Sequence, residues 1–348
     1  MARVCFVTTV HTLHDHRFLY KECAALVAAG HEVSFIVPHE KDCVVRGVRV
    51  LALPQSKSRL RRLARSLLIV GKMLRVRADA YHICDVELLP AAMTTKIVSR
   101  KIVVYDNHED FASYMLMKTY MPRPIGGLCK CLVHLLESFA ARILDGFIAA
   151  DPVVAGSYPS LPAERMHVFY NVPPLAMFAK NTIPWPERKY DVAFLGTMTA
   201  ASGTYVLLEA LGELKRRGRN VRARFIGQPD IKDMDERLAH LGLADNVEVT
   251  GRVNYEQVPA MLEQCRIGLI GLLDMPKFHK NIATKMFDYW AKGLAVVSAD
   301  LPPERAFLED GVHGLLVEPG NSLAFADAIA TCWTRPILVS GWASPAGG

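Results

Sequence analysis

The amino-acid sequence predicts an α/β protein of two doubly wound domains, each a parallel sheet covered by helices. Short apolar runs alternate with stretches of helical periodicity along the chain, as in parallel sheets with crossover helices. The apolar runs lack alternation with polar residues, which is typical of strands buried on both faces. A proline-rich stretch, residues 171–188, interrupts the pattern, which then restarts. We therefore expect two similar halves facing a cleft, with ligands beyond the carboxyl ends of the strands.

The N-terminal half, residues 1–170, opens with an apolar run and a helical stretch that ends at Gly30. We expect a first strand at 3–9 and a first helix at 18–29. Later apolar runs between helical stretches predict further strands at 31–37, 80–84, 101–105 and 146–150.

The C-terminal half, residues 189–333, repeats this order after the linker at 171–188. Strands are predicted at 190–195, 222–226, 247–250 and 267–272, and helices at 204–217 and 255–264. Asn254 is well placed as the N-cap of the second of these helices. A helix from Ile282, a stop at Gly293 and a buried strand complete the series. Residues 334–348 are expected to form a loose tail.

The composition and charge of the sequence exclude several classes of protein. No stretch approaches 18 unbroken apolar residues, so we expect no transmembrane span. The first apolar run follows a single basic residue and is interpreted as a strand, not a signal peptide. The eight cysteines are scattered, which favours reduced thiols in a cytosolic protein. The net charge of +6 suits anionic partners without identifying them.

Three charged residues share one face of the helix predicted from Ile282. Lys285, Asp288 and Lys292 are spaced i, i+3, i+7, and the opposite face is apolar. One interpretation is an ion pair on a solvated face. The other is an anion site, in which Lys285 in the first turn adds charge to a diphosphate at the helix N-terminus. Asp288 would then accept hydrogen bonds from paired hydroxyls of a sugar.

The segment TKMFDYWAKGLAVVSAD resembles the donor-site segment of the retaining glycosyltransferases of family 4, usually Lys-x-x-Glu-Tyr-x-x-x-Gly before an apolar strand. The stretches VEVTGRVNYEQVPAMLEQCRIGLIGL and FLEDGVHGLLVEPGN are similar to the blocks on either side, and YNVPP resembles the family's interdomain junction. VVYDNHEDF and DHRFLYKECAALVAAGHEV resemble segments of its polysaccharide-building members. The resemblance covers residues 1–330. It implies the GT-B fold of two Rossmann-like domains, with the acceptor on the first and the nucleotide sugar on the second.

The chain departs from the family pattern at its anion-binding positions. Asp288 stands where the family has Glu, and Lys280 stands where it usually has a second Glu. The loop GTMTAASG lacks the family's Arg and Lys, so backbone N–H groups and lysines would neutralise the diphosphate. We expect no counterpart of the family's closing helices after Trp333. The donor residues implied by the resemblance are Gly196, Thr197, Ser202, Gly203, Lys280, Asn281, Lys285 and Asp288.

Histidines are concentrated after the first predicted strand, in HTLHDHR. A metal cluster is one interpretation, but the spacing is not that of a helical zinc site. A polar loop is another. The resemblance places ligand contacts in this loop, and Asp15 and Arg17 fit them on the acceptor side.

A second polar motif, YDNHED, follows the strand predicted at 101–105. It could be an ordinary loop with turn hydrogen bonds. The functional interpretation puts His108 at the floor of the cleft, against the transferred sugar, with Glu109 beside it and Asp110 next.

Residues 58–77 combine an apolar stripe with basic residues and contain no acidic residue. They could form a helix on the sheet with a solvated basic face. Alternatively they form an interfacial helix on anionic lipid. Nucleic-acid binding is not expected, since no aromatic residues interleave with the charges.

Together these features predict a cytoplasmic glycosyltransferase, which the interfacial-helix alternative would place on the inner face of the membrane. It would move a sugar from UDP- or GDP-sugar to a polysaccharide or lipid-linked acceptor, with His108, Lys285 and Asp288 as catalytic residues. The resemblance implies front-face attack with retention, and we expect no cofactor and no metal. A nucleotide-sugar epimerase of the same architecture and a catalytically weak binding or scaffold subunit are the alternatives.

Overall fold

A computed structural model describes residues 1–55, 59–107, 123–158, 161–174, 176–179 and 181–334, with the backbone alone at 59–67 and 123–125. The chain divides into two compact units, Met1–Asn171 (unit 1) and Val172–Gly348 (unit 2). Each unit has its own sheet and its own apolar core. The predicted class, α/β with two Rossmann-like parallel-sheet domains, is confirmed.

The sheet of unit 1 has the order β3-β4-β2-β1-β5-β6-β7-β8. Its strands are β1 Arg3–Val7, β2 Glu32–Pro38, β3 Cys43–Val45, β4 Val48–Leu53, β5 Ala80–Ile83, β6 Ile102–Asn107, β7 Gly146–Ala149 and β8 Met166–Val168. All pairs are parallel except β3 with β4. The β3–β4 hairpin was not predicted, although Arg46 and Gly47 both have positive φ, as the favoured two-residue hairpin turn requires.

The helices of unit 1 cover both faces of this sheet. The helix predicted at 18–29 begins as a π-helix, Phe18–Cys23, and continues as an α-helix, Ala24–Ala28; we call the two together α1. The others are α2 Arg59–Val76, α3 Leu89–Ser99, α4 Arg123–Ile143 and the short α5 Pro152–Ala155. Helix α3 packs against both α2 and α4, so these three helices form one layer.

Unit 2 has a parallel sheet of order β11-β10-β9-β12-β13-β14. Its strands are β9 Tyr190–Leu195, β10 Ala223–Ile226, β11 Val247–Val249, β12 Cys265–Ile270, β13 Ala295–Ala299 and β14 Leu315–Val317. The strand order reverses between β9 and β12, which is the switch point where ligands bind in open α/β sheets.

The helices of unit 2 are α6 Thr204–Arg216, α7 Met234–His240, α8 Val258–Glu263, α9 Lys285–Ala291, α10 Pro302–Arg305 and α11 Ser322–Thr334. Asn254 and Gln257 form a capping box before α8, so the predicted N-cap is confirmed. The prediction that α9 starts at Ile282 was wrong by nearly one turn, and Lys285 is its first residue.

The segment that follows Asn171 packs on the rest of unit 2. Phe178 is buried in its core. The guanidinium of Arg188 donates hydrogen bonds to the carbonyl oxygens of Cys265 (3.0 Å) and Gly293 (2.9 Å). Lys292 Nζ donates to the carbonyl oxygen of Ala179 at 2.9 Å. The end of α9 is therefore covered by this segment. In the described part of the chain, no helix combines the length and the apolarity needed to cross a membrane.

Candidate functional site

The turn after β9 is built from close backbone contacts. Gly203 has φ +74, and a Cβ there would lie 1.6 Å from the carbonyl oxygen of Gly271, so no other residue fits. The hydroxyl of Ser202 donates within the turn, to the carbonyl oxygens of Thr197 (3.1 Å) and Thr199 (2.9 Å). Thr197 itself is exposed. Ser202 thus holds the turn together, and Thr197, another predicted donor residue, faces solvent.

Tyr289, a residue that sequence reasoning did not single out as functional, positions α9 against this turn. Its hydroxyl accepts a hydrogen bond from Leu195 N (2.8 Å) and donates to the carbonyl oxygen of Leu269 (3.2 Å). Its ring occupies the space where Gly268 would carry a Cβ, which would meet ring atoms at 2.3 Å. The helix is therefore held at the carboxyl ends of β9 and β12 by one buried side chain.

Lys285 is brought to the turn by this arrangement. Its Nζ lies 4.3 Å from the centroid of the Phe194 ring and would be 3.2 Å from a Cβ at Gly196. Among the described residues, its Nζ has no hydrogen-bond or ion-pair partner. Burial lowers the pKa of Lys285 to about 8, although Asp288 and Glu304 act to raise it. An ammonium placed in this way gains a partner when an anion binds at the turn.

Asp288 is buried, with 7% of its surface exposed. Its Oδ1 accepts a hydrogen bond from the hydroxyl of Tyr255 at 2.9 Å. Burial and the charge of Asp288 raise the pKa of Tyr255 well above its usual range, which keeps the phenol protonated as a donor. Lys292 is buried as well. The interpretation of an ion pair on a solvated face was therefore wrong, because the side chains of Asp288 and Lys292 on α9 are buried in unit 2.

Glu304, on α10, is a further buried charge that the sequence pattern did not reveal. Its Oε1 accepts from Ala283 N at 3.2 Å, and its Oε2 is buried without a hydrogen-bond partner. Burial raises the pKa of Glu304 to about 7, against the hydrogen bond from Ala283 and the charge of Lys285. Glu304 thus fixes the position of Ala283, two residues before α9 begins.

The remaining predicted donor residues lie in the stretch before α9. Lys280 is exposed and Asn281 is half-buried. Their contact with a nucleotide sugar stays a prediction.

In unit 1, Arg17 is the centre of a buried ion-pair network at the carboxyl end of β6. Its guanidinium donates to both oxygens of Asp106, at 3.1 and 3.0 Å, and to the carbonyl oxygen of Phe169 at 3.1 Å. Its Nε also lies 3.0 Å from Glu22 Oε1. Only 5% of the surface of Arg17 is exposed. Its position supports the polypeptide directly, and its predicted role toward an acceptor stays a prediction.

Asp15 shapes the loop that leads into α1. Its Oδ1 accepts hydrogen bonds from Arg17 N (2.9 Å) and Phe18 N (3.3 Å), and its Oδ2 lies 2.9 Å from His11 Nδ1. Burial alone would raise the pKa of Asp15, but the hydrogen bond and charge of His11 outweigh it, and the pKa falls to about 2. Asp15 is therefore an anion under all ordinary conditions.

The histidines after β1 have separate partners. His14 Nδ1 lies 3.0 Å from the hydroxyl of Tyr20, and His16 Nε2 lies 2.9 Å from Asn171 Nδ2, while His11 pairs with Asp15. The interpretation of a metal cluster in HTLHDHR therefore finds no support in their geometry. His108, Glu109 and Asp110 lie outside the described residues.

A different group of unit 1 has the spacing of metal ligands. Oxygen and nitrogen atoms of Glu22, His82 and Asp106 lie within 4.8 Å of one another. His82 Nε2 is 3.2 Å from a carboxylate oxygen of each acid. Burial and the charge of Asp106 raise the pKa of Glu22 well above its usual range. Arg17 already contacts both acids, so a cation would compete with a guanidinium that is bound at short distances.

Comparisons with known proteins agree with the fold and with the character of unit 2. Residues 189–335 match the family model described as Glycosyl transferases group 1. This part of unit 2 is therefore similar to a group 1 glycosyltransferase domain, in line with the resemblance noted in the sequence. Assignment to the retaining family 4, or to its polysaccharide-building members, is finer than this match.

Curated relatives align over less than half of the chain. An alpha-D-kanosaminyltransferase of Streptomyces kanamyceticus is 28% identical over 148 residues, which are 42% of this chain and 37% of that enzyme. A D-inositol 3-phosphate glycosyltransferase of Nocardia farcinica is 29% identical over 142 residues, 40% of this chain and 31% of that enzyme. The matched stretch thus spans about a third of each relative.

Solved structures match the whole chain in fold. The HepE protein of Anabaena in complex with UDP and glucose has a TM-score of 0.70 and 16% identity, covering 97% of this chain and 92% of that one. Sucrose-phosphate synthase of Thermosynechococcus elongatus has a TM-score of 0.70 and 13% identity, covering 97% and 90%. These neighbours are GT-B glycosyltransferases, and the likeness establishes the fold.

Proposed function

We propose that the chain is a retaining glycosyltransferase of family 4. Unit 2 binds a UDP- or GDP-sugar at the turn after β9, and unit 1 binds a polysaccharide or lipid-linked acceptor. Neither a cofactor nor a divalent metal takes part. Lys285 supplies positive charge at the leaving diphosphate, and Asp288 orients the donor.

The observation that carries this proposal is the position of Lys285. Its ammonium lies against the Gly196 turn, at the switch point of the sheet, and no described side chain neutralises it. The turn has no acidic side chain between Gly196 and Gly203. Several of its N–H groups, such as those of Gly196 and Met198, already donate within the protein, so a ligand would use the others. A diphosphate is the ligand that matches one fixed cation beside a turn of backbone donors.

The names of similar proteins support the choice of ligand. The HepE protein was solved with UDP and glucose, and the curated relatives are transferases of sugars. A third relative, 26% identical over 140 residues, is a lipopolysaccharide core biosynthesis glycosyltransferase of Rhizobium meliloti. That name agrees with the glycan or lipid-linked acceptor that we propose here.

The chemistry that we propose is front-face substitution. The bond between the sugar C1 and the diphosphate oxygen breaks, and the acceptor oxygen bonds to C1 on the same face. The acceptor proton passes to the departing diphosphate oxygen, so no protein base is consumed. The protein then acts by positioning and by stabilising the charge that develops on the diphosphate. Lys285 performs the second task, and His108 would contact the transferred sugar.

A thermal-shift screen tests donor binding, since a ligand that binds the folded state raises the melting temperature. We expect UDP or GDP, and one of their sugars, to stabilise the wild-type protein. Lys285→Met should abolish this shift, while Lys232→Met, an exposed lysine of the same unit, should retain it. Equal shifts in both variants would contradict the donor site.

Transfer itself is tested with the identified donor in excess EDTA. We expect turnover to continue and the product to keep the anomeric configuration of the donor. Loss of transfer that Mn²⁺ or Mg²⁺ restores would contradict the metal-free mechanism, and an inverted product would contradict retention.

We further propose that the layer of α2, α3 and α4 faces an anionic membrane surface. The sequences of these helices contain ten basic residues and one acidic residue, Glu137, which is buried against the hydroxyl of Tyr158 at 2.8 Å. The layer also exposes large apolar side chains. These are Leu68, Ile97, Val98, Leu128, Leu132, Leu135 and Phe139. Exposed apolar and basic side chains on one layer suit the interface of a bilayer.

A further inference from the structure

A cavity of about 500 Å³ lies between α2 and β4 of unit 1. Arg49 and Leu51 line it from alternate positions of the strand, and Lys72, Arg75 and Val76 line it from the last turns of the helix, beside Leu68 and Gly71. Among the described residues that line it, three are cations and none is an acid. Its chemistry is therefore that of an anion site.

The three cations are available to a ligand in different degrees. Arg49 and Arg75 are exposed, and in the described part of the chain neither guanidinium has an ion-pair or hydrogen-bond partner. Lys72 Nζ donates one hydrogen bond, to the carbonyl oxygen of Ala52, which leaves two of its N–H groups for a ligand. Guanidinium groups of this kind bind phosphate through paired hydrogen bonds.

The cavity also has an apolar wall. Leu51 is 8% exposed, whereas Leu68 is 77% exposed at its mouth. A small inorganic anion would leave Leu68 in water. An anion that carries a hydrocarbon chain would cover it and gain free energy from the buried apolar surface.

The position of the cavity separates it from the donor and acceptor candidates. Arg49 stands near the start of β4, and Arg75 near the end of the returning helix α2. Asp15 and Arg17 follow the carboxyl end of β1, and Asp106 is the penultimate residue of β6. The cavity, lined by Arg49 near the amino end of β4, is thus separate from the strand ends where α/β sheets bind their substrates.

We propose that this cavity binds a phosphate monoester that carries a hydrocarbon chain, such as phosphatidic acid. Arg49, Lys72 and Arg75 hold the phosphate, and Leu68 contacts the chain. The proposed site does not depend on sugar transfer. Binding of this ligand to the full-length protein is what tests it.

Calorimetry with dihexanoylphosphatidic acid below its micelle concentration tests the proposal. We expect saturable binding, at least about tenfold weaker in Arg49→Met and in Arg75→Met, since each removes a charged hydrogen bond. The matched control is Arg252→Met, an exposed arginine of unit 2, which should bind like the wild type. Equal binding by all three variants would overturn the proposal.

Two further ligands separate the possible sources of the phosphate. Glycerol 3-phosphate should bind more weakly, because it cannot cover Leu68, and dihexanoylphosphatidylcholine should not bind measurably. If glycerol 3-phosphate binds as tightly as dihexanoylphosphatidic acid, the proposed contact of Leu68 with the hydrocarbon chain is wrong. If dihexanoylphosphatidylcholine binds as tightly, the proposed role of the three cations is wrong. A photoreactive group on the short chain should label residues 68–76 of the wild-type protein, and labelling confined to other segments would overturn the site even if a variant failed to fold.

Discussion

The ammonium of Lys285 fills the space beside Gly196 that a side chain at that glycine would enter. A Cβ at Gly196 would lie 3.2 Å from Lys285 Nζ, and the residue has φ +122. The end of β9 and the start of α9 are thereby in direct contact, although 89 residues separate them in the sequence. Any ligand that reaches the turn must meet this cation.

We expect Gly196→Ala to weaken nucleoside diphosphate binding and to destabilise the protein by about 1 kcal/mol or more, because the new Cβ is strained and crowds the ammonium. Gly218→Ala is the matched control, since Gly218 has φ +77 with nothing within 4 Å of a new Cβ. Urea unfolding and calorimetry measure the two effects. If both variants bind the nucleotide equally well, contact between the turn and the ligand is ruled out.

The pH dependence of donor binding should follow the ammonium of Lys285. Its pKa in the folded protein is about 8, against 10.5 for a free side chain, so the lysine loses its proton as the pH rises through 8. An anionic ligand binds the protonated form, and affinity should therefore fall above pH 8, by up to about tenfold per pH unit.

Calorimetry at several pH values between 7 and 9.5 checks this dependence. Lys285→Arg is the control, because a guanidinium stays charged in this range and any remaining slope then comes from the ligand. A wild-type affinity that stays constant up to pH 9.5 would contradict the role of Lys285.

Asp288 should select for paired hydroxyls on the bound nucleotide. Its Oδ1 accepts from Tyr255, and a carboxylate has lone pairs enough to accept from a sugar as well. We expect Asp288→Asn to cost about 1–3 kcal/mol of binding free energy for the nucleoside diphosphate, the range for a hydrogen bond to a charged group.

The 2′,3′-dideoxy nucleotide provides the decisive comparison for Asp288. Its affinity should be nearly the same for wild type and Asp288→Asn, since it lacks the hydroxyls that the carboxylate would bind. An equal loss for both nucleotides would mean that Asp288 acts only through the fold. Tyr255→Phe separates that case, because it removes the same internal hydrogen bond and keeps the carboxylate.

Much of the architecture could be predicted from local pattern. The predicted strands of unit 2 agree with the structure within two residues, since strands buried on both faces leave unbroken apolar runs. The face of α9 that carries Met286 and Tyr289 could be predicted from periodicity. The burial of Lys292 could not, because it depends on Ala179 and its neighbours in a segment that shows no periodicity.

The candidate site was predictable only in its local parts. Lys285 and the Gly196 turn could each be found from their motifs, but their contact depends on the crossing of several strands. Glu304 and the pair of Arg17 with Asp106 left no signal, because the partners are far apart in sequence and of ordinary residue types. Tyr289 resembled a core residue by its spacing, and its hydroxyl bonds to Leu195 and Leu269 appear only in three dimensions.

The stability of unit 2 should depend on the proton of Glu304. Its pKa is 4.5 in a free side chain and about 7 in the folded protein, so the folded state holds the proton more tightly. Stability from this group is present in full below pH 4.5 and is lost as the pH rises through 7, by about 3 kcal/mol at most.

Glu304→Gln should remove that dependence and make the protein more stable at pH 8, by about 1–3 kcal/mol, since a neutral amide can still accept from Ala283. Urea unfolding at pH 5.5 and pH 8 measures the difference, with the exposed Glu309→Gln as the control. A variant that is less stable than the wild type at pH 8 would show that the charged carboxylate supports the fold.

Membrane association through the layer of α2, α3 and α4 should depend on charge and on apolar contact together. Each Lys or Arg near an anionic surface adds roughly 1 kcal/mol of attraction. The triple variant Arg61→Glu, Arg62→Glu and Arg65→Glu, at positions whose side chains lie outside the described ones, should therefore lose binding to anionic vesicles. High salt should release the wild-type protein, since the attraction is screened within about 10 Å at 0.1 M salt.

The apolar half of this interface lies on α4, where Leu132 and Phe139 are exposed. Replacing both with Ser should weaken vesicle binding without changing its salt dependence, because the lost contribution is burial in the acyl region. A control with the same change in charge is Arg222→Glu, Lys232→Glu and Arg252→Glu in unit 2, where all three side chains are exposed. If this control releases the protein from sedimented vesicles as fully as the α2 variant, net charge accounts for the attraction. If only the α2 and α4 variants release it, and their melting temperatures match the wild type, this layer is the surface that meets the membrane.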